Sequence, residues 1–584
     1  MDTPHRAVIG AIKAVAMTGV KRELLMTRDA SPAITLTAVK VESRSARHRR
    51  CESQPGKRMD MVAHAPKRNS DRREATEPAG TKSQTTAPEP YGRFELLPIA
   101  GDWRHGQAES RLVDTNPYTG DVVLEIKQAD RNDLDAAFTG AAKAQAAWAA
   151  SAPATRAHVL RRAAEVMEAR RGEIVDWLIN ESGSTRLKAN LEWEVTHAVM
   201  LWATSVPHAA ESRIIPSDIP GKEHQVRRKP VGVVGAISPW NWPLHLSNRT
   251  IAPALAVGNA VVVKPASDTP VTGGLLLAKI FEEAGLAAGL LSVVVGAGSE
   301  IGDAFVSHLV PRVISFTGST PVGRNIAELA AKAPIIKRVD LELGGNAPFV
   351  VLADADLDQA IEAAVFGKFL HQGQICIAIN RIIVEEAVYH TFVDRFAERV
   401  GRLKAGDPSD GDTMVGPIIN NSQLRKLLER IRRARQDGAK QVLGGEPDGL
   451  LLPPHVFVNV ANRMELAAEE IFGPVAPILR VSSAEEALAV ANETSFGLSG
   501  AVFTRDVHRG VHFAERMQVG MAHVNDQPVI DLPTCPFGGE KNSGIGRFNG
   551  SWAIEAFTTD QWLTAQHAPR GFPWNASAVK GPWS

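Results

Sequence analysis

Cys376 and Glu342 have the side chains needed for two successive halves of one reaction. A thiolate attacks a carbonyl carbon, and a carboxylate then takes a proton from the water that releases the product. Cys376 closes Gly373-Gln374-Ile375-Cys376, a glycine-containing turn after an apolar run, and Glu342 opens Glu342-Leu343-Gly344-Gly345. Neither residue is diagnostic alone, because a solitary cysteine usually packs as a small hydrophobe. A third segment, Phe316-Thr317-Gly318-Ser319-Thr320-Pro321-Val322-Gly323, reads as a strand end running into a helix start. There Gly318, Ser319 and the first-turn N–H groups suit an anion, and a helix cap with no ligand fits equally well. Gly296-Ala297-Gly298 continues to Gly302 with spacing Gly-x-Gly-x-x-x-Gly. That differs from the dinucleotide fingerprint and reads as a packing turn.

These motifs need elements to position them. From Val226 onward, β-branched runs at Val231–Ile237, Ala260–Lys264, Leu290–Val295, Val313–Phe316 and Val339–Leu343 alternate with helical stretches. The helices are expected near Leu244–Ala256, Val271–Ala284, Glu300–His308 and Pro321–Ala331. Such alternation implies an α/β fold with a parallel, doubly wound sheet that takes ligands at the carboxyl ends of its strands. A second α/β unit is expected from about Gly345 to Pro536, with strands at Phe349–Leu352, Arg381–Val384 and Ala501–Phe503. Ahead of both, Leu134–Ala150 and Ala154–Ser182 read as alanine-rich helical stretches. The polar segment Arg213–Arg228 reads as an excursion from the first unit, and β-prone Phe557–Thr564 has no evident partner in either unit. Both are candidates for subunit contacts.

The chain has 584 residues, too many for one core, with 65 basic and 65 acidic side chains. The balance argues against a general nucleic-acid or membrane-surface role for the folded part. Three cysteines suit a reducing cytosol rather than a disulfide framework, and no apolar run approaches the ~18 residues of a membrane span. The first 88 residues differ, with 17 Lys and Arg against 9 Asp and Glu. Between Cys51 and Pro90 there is almost no hydrophobic patterning, so this stretch is expected to stay a disordered tail. A transit peptide, or a true start at Met59 or Met61, is the alternative reading.

The chain resembles the aldehyde dehydrogenase superfamily from about residue 95 to 565, and most closely its benzaldehyde and vanillin dehydrogenase branch. The resemblance rests on Pro239-Trp240-Asn241-Trp242-Pro243, Lys264-Pro265-Ala266-Ser267, Phe316-Thr317-Gly318-Ser319-Thr320, Glu342-Leu343-Gly344-Gly345, Gly373-Gln374-Ile375-Cys376, Glu470-Ile471-Phe472-Gly473-Pro474 and Phe537-Gly538-Gly539, in that order. It implies a Rossmann-like cofactor-binding domain over 91–344 with an oligomerisation excursion near 207–229, and an α/β catalytic domain over 345–541. Residues 542–584 would carry an oligomerisation strand, and 1–90 would be the tail. It implies oxidation of an aldehyde to the acid with NAD or NADP. Cys376 would be the nucleophile, in surroundings that favour its ionisation, Asn241 the oxyanion donor and Glu342 the base. The cofactor would meet Trp240, Lys264, Ser267, Gly318, Ser319, Gly323, Glu470 and Phe472. Many NAD-preferring members carry a glutamate where this chain has Ser267, so the missing like-charge repulsion should admit NADP. Trp242, His245 and Arg249 fall on one helical face. They would line the substrate entrance, unless Arg249 is held in a structural ion pair. His371 reads as a satisfied helix-end histidine rather than a catalytic one. No metal site is expected. A cytoplasmic homodimer or homotetramer follows, with an aldehyde as its small-molecule partner and neither nucleic acid nor membrane. A coenzyme-A-acylating enzyme and a non-catalytic binding protein are the competing readings, and Glu342 argues against the first.

Overall fold

Five β-branched runs form strands where their composition predicts: Val233–Ile237, Ala260–Lys264, Leu291–Val293, Val313–Thr317 and Arg338–Glu342. They pair in parallel, and in space Val233–Ile237 lies between Ala260–Lys264 and Val313–Thr317. The computed structural model describes residues 88–572 and Trp574; the expected tail falls outside them up to residue 87. Because the strand order reverses beside Val233–Ile237, a crevice opens there at the strands' carboxyl ends. The short strand Gly544–Ile545 completes this six-stranded sheet, antiparallel to Arg338–Glu342. Every residue of Ala260–Lys264 is buried, as expected for a parallel sheet covered by helices on both faces.

A second sheet of seven strands is built from residues after Gly345. Its centre comprises Val475–Val481, Ile379–Glu385, Ala347–Val351 and Ser499–Phe503, all parallel. Only the edge strand Lys440–Leu443 runs antiparallel, beside His455–Val458. One hydrophobic core serves the first sheet and its helices, and two others serve the second.

Two expectations change. The stretch Ala154–Ser182 is two helices, Pro153–Ala169 and Arg171–Ser182, broken at Arg170. The Arg170 side chain is drawn inward onto Glu173 and Glu283 and over the Tyr91 ring. The C-terminal β-prone segment does have a partner within the chain. Thr558–Gln566 pairs antiparallel with Lys222–Pro230 along its full length, and Arg213–Ile215 adds the third strand. Polar excursion and C-terminal strand thus form one small sheet, with Ile214 and Trp562 exposed on it.

Candidate active site

A cleft of about 420 Å³ opens where the strand order reverses. Pro239, Trp240 and Asn241 follow the strand Val233–Ile237, and Gly318 and Ser319 follow Val313–Thr317; all five line it. Glu342 enters from the end of Arg338–Glu342, and Cys376, Glu470 and Phe472 come from the second α/β unit. The Gly-Gly pair after Glu342 has a steric reason. A Cβ on Gly345 would lie 2.2 Å from the Cys376 carbonyl oxygen, and one on Gly344 would lie 2.8 Å from a Glu470 carboxylate oxygen. Only glycine lets this connecting segment pass so close to both.

Cys376 follows a turn in which His371, Gln372 and Gly373 are all left-handed, with φ of 50°, 57° and 70°. Strain of this kind is stored where a loop must hold one position. Contrary to the expectation of an ionised thiol, burial pushes Cys376 well above the usual thiol range, and the Glu342 and Glu470 carboxyls add to this. Burial also raises Glu342 to about 7, against the opposing pull of Arg249. Both Glu342 oxygens lack a hydrogen-bond donor in good geometry, although thiol and carboxyl are near enough to shift one another. A carboxyl of this kind can take and release a proton near neutrality. Asn241 is 3% exposed; its amide donates one N–H to the Gln374 carbonyl at 3.0 Å, leaving the second N–H free.

The residues expected to hold a dinucleotide divide into two groups. Trp240 and Phe472 meet edge to face with ring centroids 5.4 Å apart, and both line the cleft. Phe472 has φ of 54°. Glu470 lies in the cleft, where burial lifts it to about 7 and it accepts the Gly345 N–H at 2.8 Å. The helix Thr320–Lys332 begins at Ser319 with no side chain capping its first turn, so its N–H groups are available to an anion. Lys264 and Ser267 stand outside the residues lining the cleft. Lys264 is a buried ammonium that reaches only the Pro265 carbonyl at 3.4 Å, and burial lowers it to about 8. Gly323 is also outside the lining; it packs under Leu343, where a Cβ would sit 2.4 Å from that side chain. Asp268, beside Ser267, accepts from the Asn420 amide at 2.9 Å. An uncapped helix start, a free buried lysine and a cleft carboxylate suit pyrophosphate and ribose hydroxyls, so these residues fit a dinucleotide.

Trp242, Phe537, Ile375 and Ile377 belong to one apolar cluster that Cys376 packs against. Trp242 is the residue before the helix Pro243–Ala256 rather than within it. His245 Nε2–H donates to Asp531 Oδ2 at 2.8 Å. Arg249 sits in a buried ion pair: Nη1 is 3.1 Å from Asp531 Oδ2, Nη2 is 3.8 Å from Glu342 Oε2, and the guanidinium lies over the Phe537 and Phe548 rings. His371 is buried but unsatisfied, with neither ring nitrogen bonded. Burial and nearby Lys188 hold it neutral.

Residues 103–563 match the model of the aldehyde dehydrogenase family. A vanillin dehydrogenase of Corynebacterium glutamicum is 55% identical over 465 residues, covering 80% of this chain and 96% of the relative. The crystal structure of an NAD-dependent benzaldehyde dehydrogenase from the same organism superposes with a TM-score of 0.75 at 52% identity, covering 81% of this chain and 99% of the other. A betaine aldehyde dehydrogenase of Staphylococcus aureus, in complex with NAD+, gives a TM-score of 0.80 at 30% identity over 82% of this chain and 96% of the other.

The chain belongs to the aldehyde dehydrogenase family.

It is accordingly an oxidoreductase that oxidises an aldehyde to the acid with NAD or NADP. No helix among the described residues is long and apolar enough to cross a membrane. Several residues around this aldehyde dehydrogenase site escaped the sequence reading. Asp531 lies in a loop with no local signal. Gln423, Lys426 and Arg430 line the cleft from the helix Asn421–Gln436, where i, i+3, i+7 spacing also describes any solvated face. Lys188 and Glu192, at i, i+4 on the helix Arg186–Ala203, are fully buried; that spacing normally marks an exposed pair.

Proposed function

We propose that this aldehyde dehydrogenase takes an aromatic aldehyde, with Cys376 as nucleophile, Asn241 as oxyanion donor and Glu342 as base. One observation carries the assignment: all three side chains open onto a single cleft at the strand-order reversal. The apolar cluster containing Trp242 and Phe537 beside Cys376 supports a planar, apolar substrate, as do the names of the vanillin and benzaldehyde dehydrogenase relatives.

The thiol starts protonated, so its proton must leave before attack. Glu342, at about 7, is the neighbouring acceptor. The sulfur then bonds to the carbonyl carbon, and the developing oxyanion is met by the free Asn241 N–H and the Cys376 backbone N–H; one such donor contributes about 10²–10³ in turnover. Trp240, Lys264, Glu470, Phe472 and the N-terminal turn at Gly318 and Ser319 would hold the dinucleotide, which when bound accepts hydride from the substrate carbon. Glu342, once it has passed the thiol proton to solvent, takes a proton from water, whose oxygen attacks the resulting thioester. The C–S bond breaks, the sulfur leaves with its electron pair and the free acid departs.

With Asp268 held by Asn420, neutral Ser267 presents no charge against a 2′-phosphate, so both NAD and NADP should serve. Domains over 91–344 and 345–541 are the natural division, because each sheet draws its central strands from one of these spans. The three-stranded sheet of Arg213–Ile215, Lys222–Pro230 and Thr558–Gln566 is the proposed dimer or tetramer contact, in a cytoplasmic enzyme without nucleic-acid or membrane partners. Gly323 contributes by letting the pyrophosphate helix pack closely on Leu343. The test is NAD(P)H formation with benzaldehyde, vanillin and short aliphatic aldehydes, with and without coenzyme A. Benzaldehydes should give kcat/KM at least about tenfold above aliphatic aldehydes and release free acid without coenzyme A. Equal use of both classes sinks the substrate assignment, and a requirement for coenzyme A sinks the hydrolytic mechanism.

A further inference from the structure

Two charged side chains lie fully buried behind Asn241, on a helix that contributes nothing to the lining of the cleft. Lys188 Nζ donates to Ser184 Oγ at 2.9 Å, to Glu192 Oε2 at 2.5 Å and to the Asn241 backbone carbonyl at 2.7 Å. The other Glu192 oxygen accepts the N–H groups of Leu244 and His245 at 2.9 and 3.2 Å. These are the first-turn donors of the helix Pro243–Ala256, which has no side-chain cap of its own. A carboxylate at a helix amino end is favourable on electrostatic grounds. Burying an ion pair, however, gains little stability over an apolar pair of similar volume.

The pair holds one short segment at both ends: Lys188 fixes the Asn241 carbonyl, and Glu192 fixes the N–H groups of Leu244 and His245, three and four residues on. Onward, the Asn241 amide donates to the Gln374 carbonyl at 3.0 Å, two residues before Cys376. A continuous run of hydrogen bonds therefore joins the helix Arg186–Ala203 to the nucleophile segment through Asn241. Lys188 Nζ also stands 4.9 Å from the centre of the Trp242 ring, so the residue on either side of this peptide bond feels the same cation.

We infer that Lys188 and Glu192 are positioning residues for the oxyanion donor: they set the register of Asn241 so that its second N–H points where charge develops on the substrate oxygen. This rests on the assignment of Asn241 as that donor. An oxyanion-hole donor gains its effect only when fixed in advance, so a displacement of under 1 Å is enough to lose much of it.

The experiment is a double-mutant cycle on the acylation rate, read from single-turnover NADH formation with benzaldehyde, using Lys188→Met, Asn241→Ala and the double variant in the full-length enzyme. Lys188→Met should lower the rate about 10- to 100-fold, leave NAD affinity by fluorescence quenching within twofold, and cost less than threefold once Asn241 is already alanine. Equal losses in both backgrounds, or a loss under twofold in the parent, overturn the inference. If Asn241→Ala alone loses less than threefold, the donor assignment itself fails, and the inference with it. Should Lys188→Met not fold, Glu192→Gln runs the same cycle: it keeps an acceptor for Leu244 and His245 and removes the charge that anchors Lys188. The same outcomes apply.

Discussion

Removing the positive charge of Arg249 should shift the pH dependence of deacylation to higher pH. Glu342 stands at about 7, raised by burial, lowered by Arg249 and raised further by Asp531. At 3.8 Å between Nη2 and Oε2, Coulomb's law gives about 1 kcal/mol in bulk water and about 4 kcal/mol at an effective dielectric of ~20. At about 1.4 kcal/mol per pKa unit, Arg249→Met should raise Glu342 by between about one and three units. The base is the ionised form, so the sign is fixed: a higher pKa means less base at any given pH. Near pH 7.5 a carboxyl at 7 is about three-quarters ionised; at 8 it is about a quarter ionised, and at 10 less than a hundredth. Deacylation should then slow between about threefold and several hundredfold at that pH and recover as the pH is raised.

The assay is rapid-mixing NADH formation across pH. If deacylation becomes limiting, a burst equal to the enzyme concentration precedes a slow steady state, and the steady rate carries the shifted pKa. Breaking a buried pair by removing one partner can cost about 3–5 kcal/mol of stability, so melting must be followed in parallel. Arg249→Met combined with Asp531→Asn relieves the stranded carboxylate and should still shift the profile upward, though less. An apparent pKa unchanged within about 0.3 unit, or moved to lower pH, would refute the electrostatic argument.

Four further outcomes are expected. Cys376→Ala should abolish NAD(P)H formation, whereas Glu342→Gln should accumulate an acyl group on Cys376 visible by intact mass; steady turnover of Glu342→Gln within tenfold of the parent would contradict the base assignment. Ser267→Glu should reduce kcat/KM for NADP relative to NAD by at least about a hundredfold, or ~2.7 kcal/mol, and a parent that already prefers NAD by that margin would show the serine not to matter. Gly345→Ala places a methyl 2.2 Å from the Cys376 carbonyl oxygen; it should lower stability by about 1–3 kcal/mol and activity more than a hundredfold, and a fully active variant would mean that the connecting segment is free to move.

Much of the site was legible because its pieces are local. Strands at Ala260–Lys264 and Val313–Thr317 announce themselves by β-branched runs, and a parallel sheet takes ligands at the carboxyl ends of its strands, but only the pairing shows where the strand order reverses. The reason for Gly344 and Gly345 beside Glu342 appears only in the fold, where they pass close to Glu470 and Cys376. The thiol's environment was not legible: composition around Cys376 cannot reveal that it is buried with Glu342 and Glu470 converging on it, all of which oppose its ionisation. Arg249 could be placed on a helical face but not assigned a partner, since Asp531 lies 282 positions away.

By itself, then, the amino-acid order determined the parallel sheets, because β-branched runs alternate with helical stretches, and through the resemblance its motifs carry it pointed to the proposed nucleophile, base and dinucleotide chemistry. Tertiary structure alone decided which charges are buried and what they face. Lys188 and Glu192 have the spacing of an ordinary exposed pair and become a clamp only when the helix Pro243–Ala256 packs over them. Thr558–Gln566 finds Lys222–Pro230 across more than half the chain. Burial and long-range pairing arise from how elements stack, and no local period in a sequence records that.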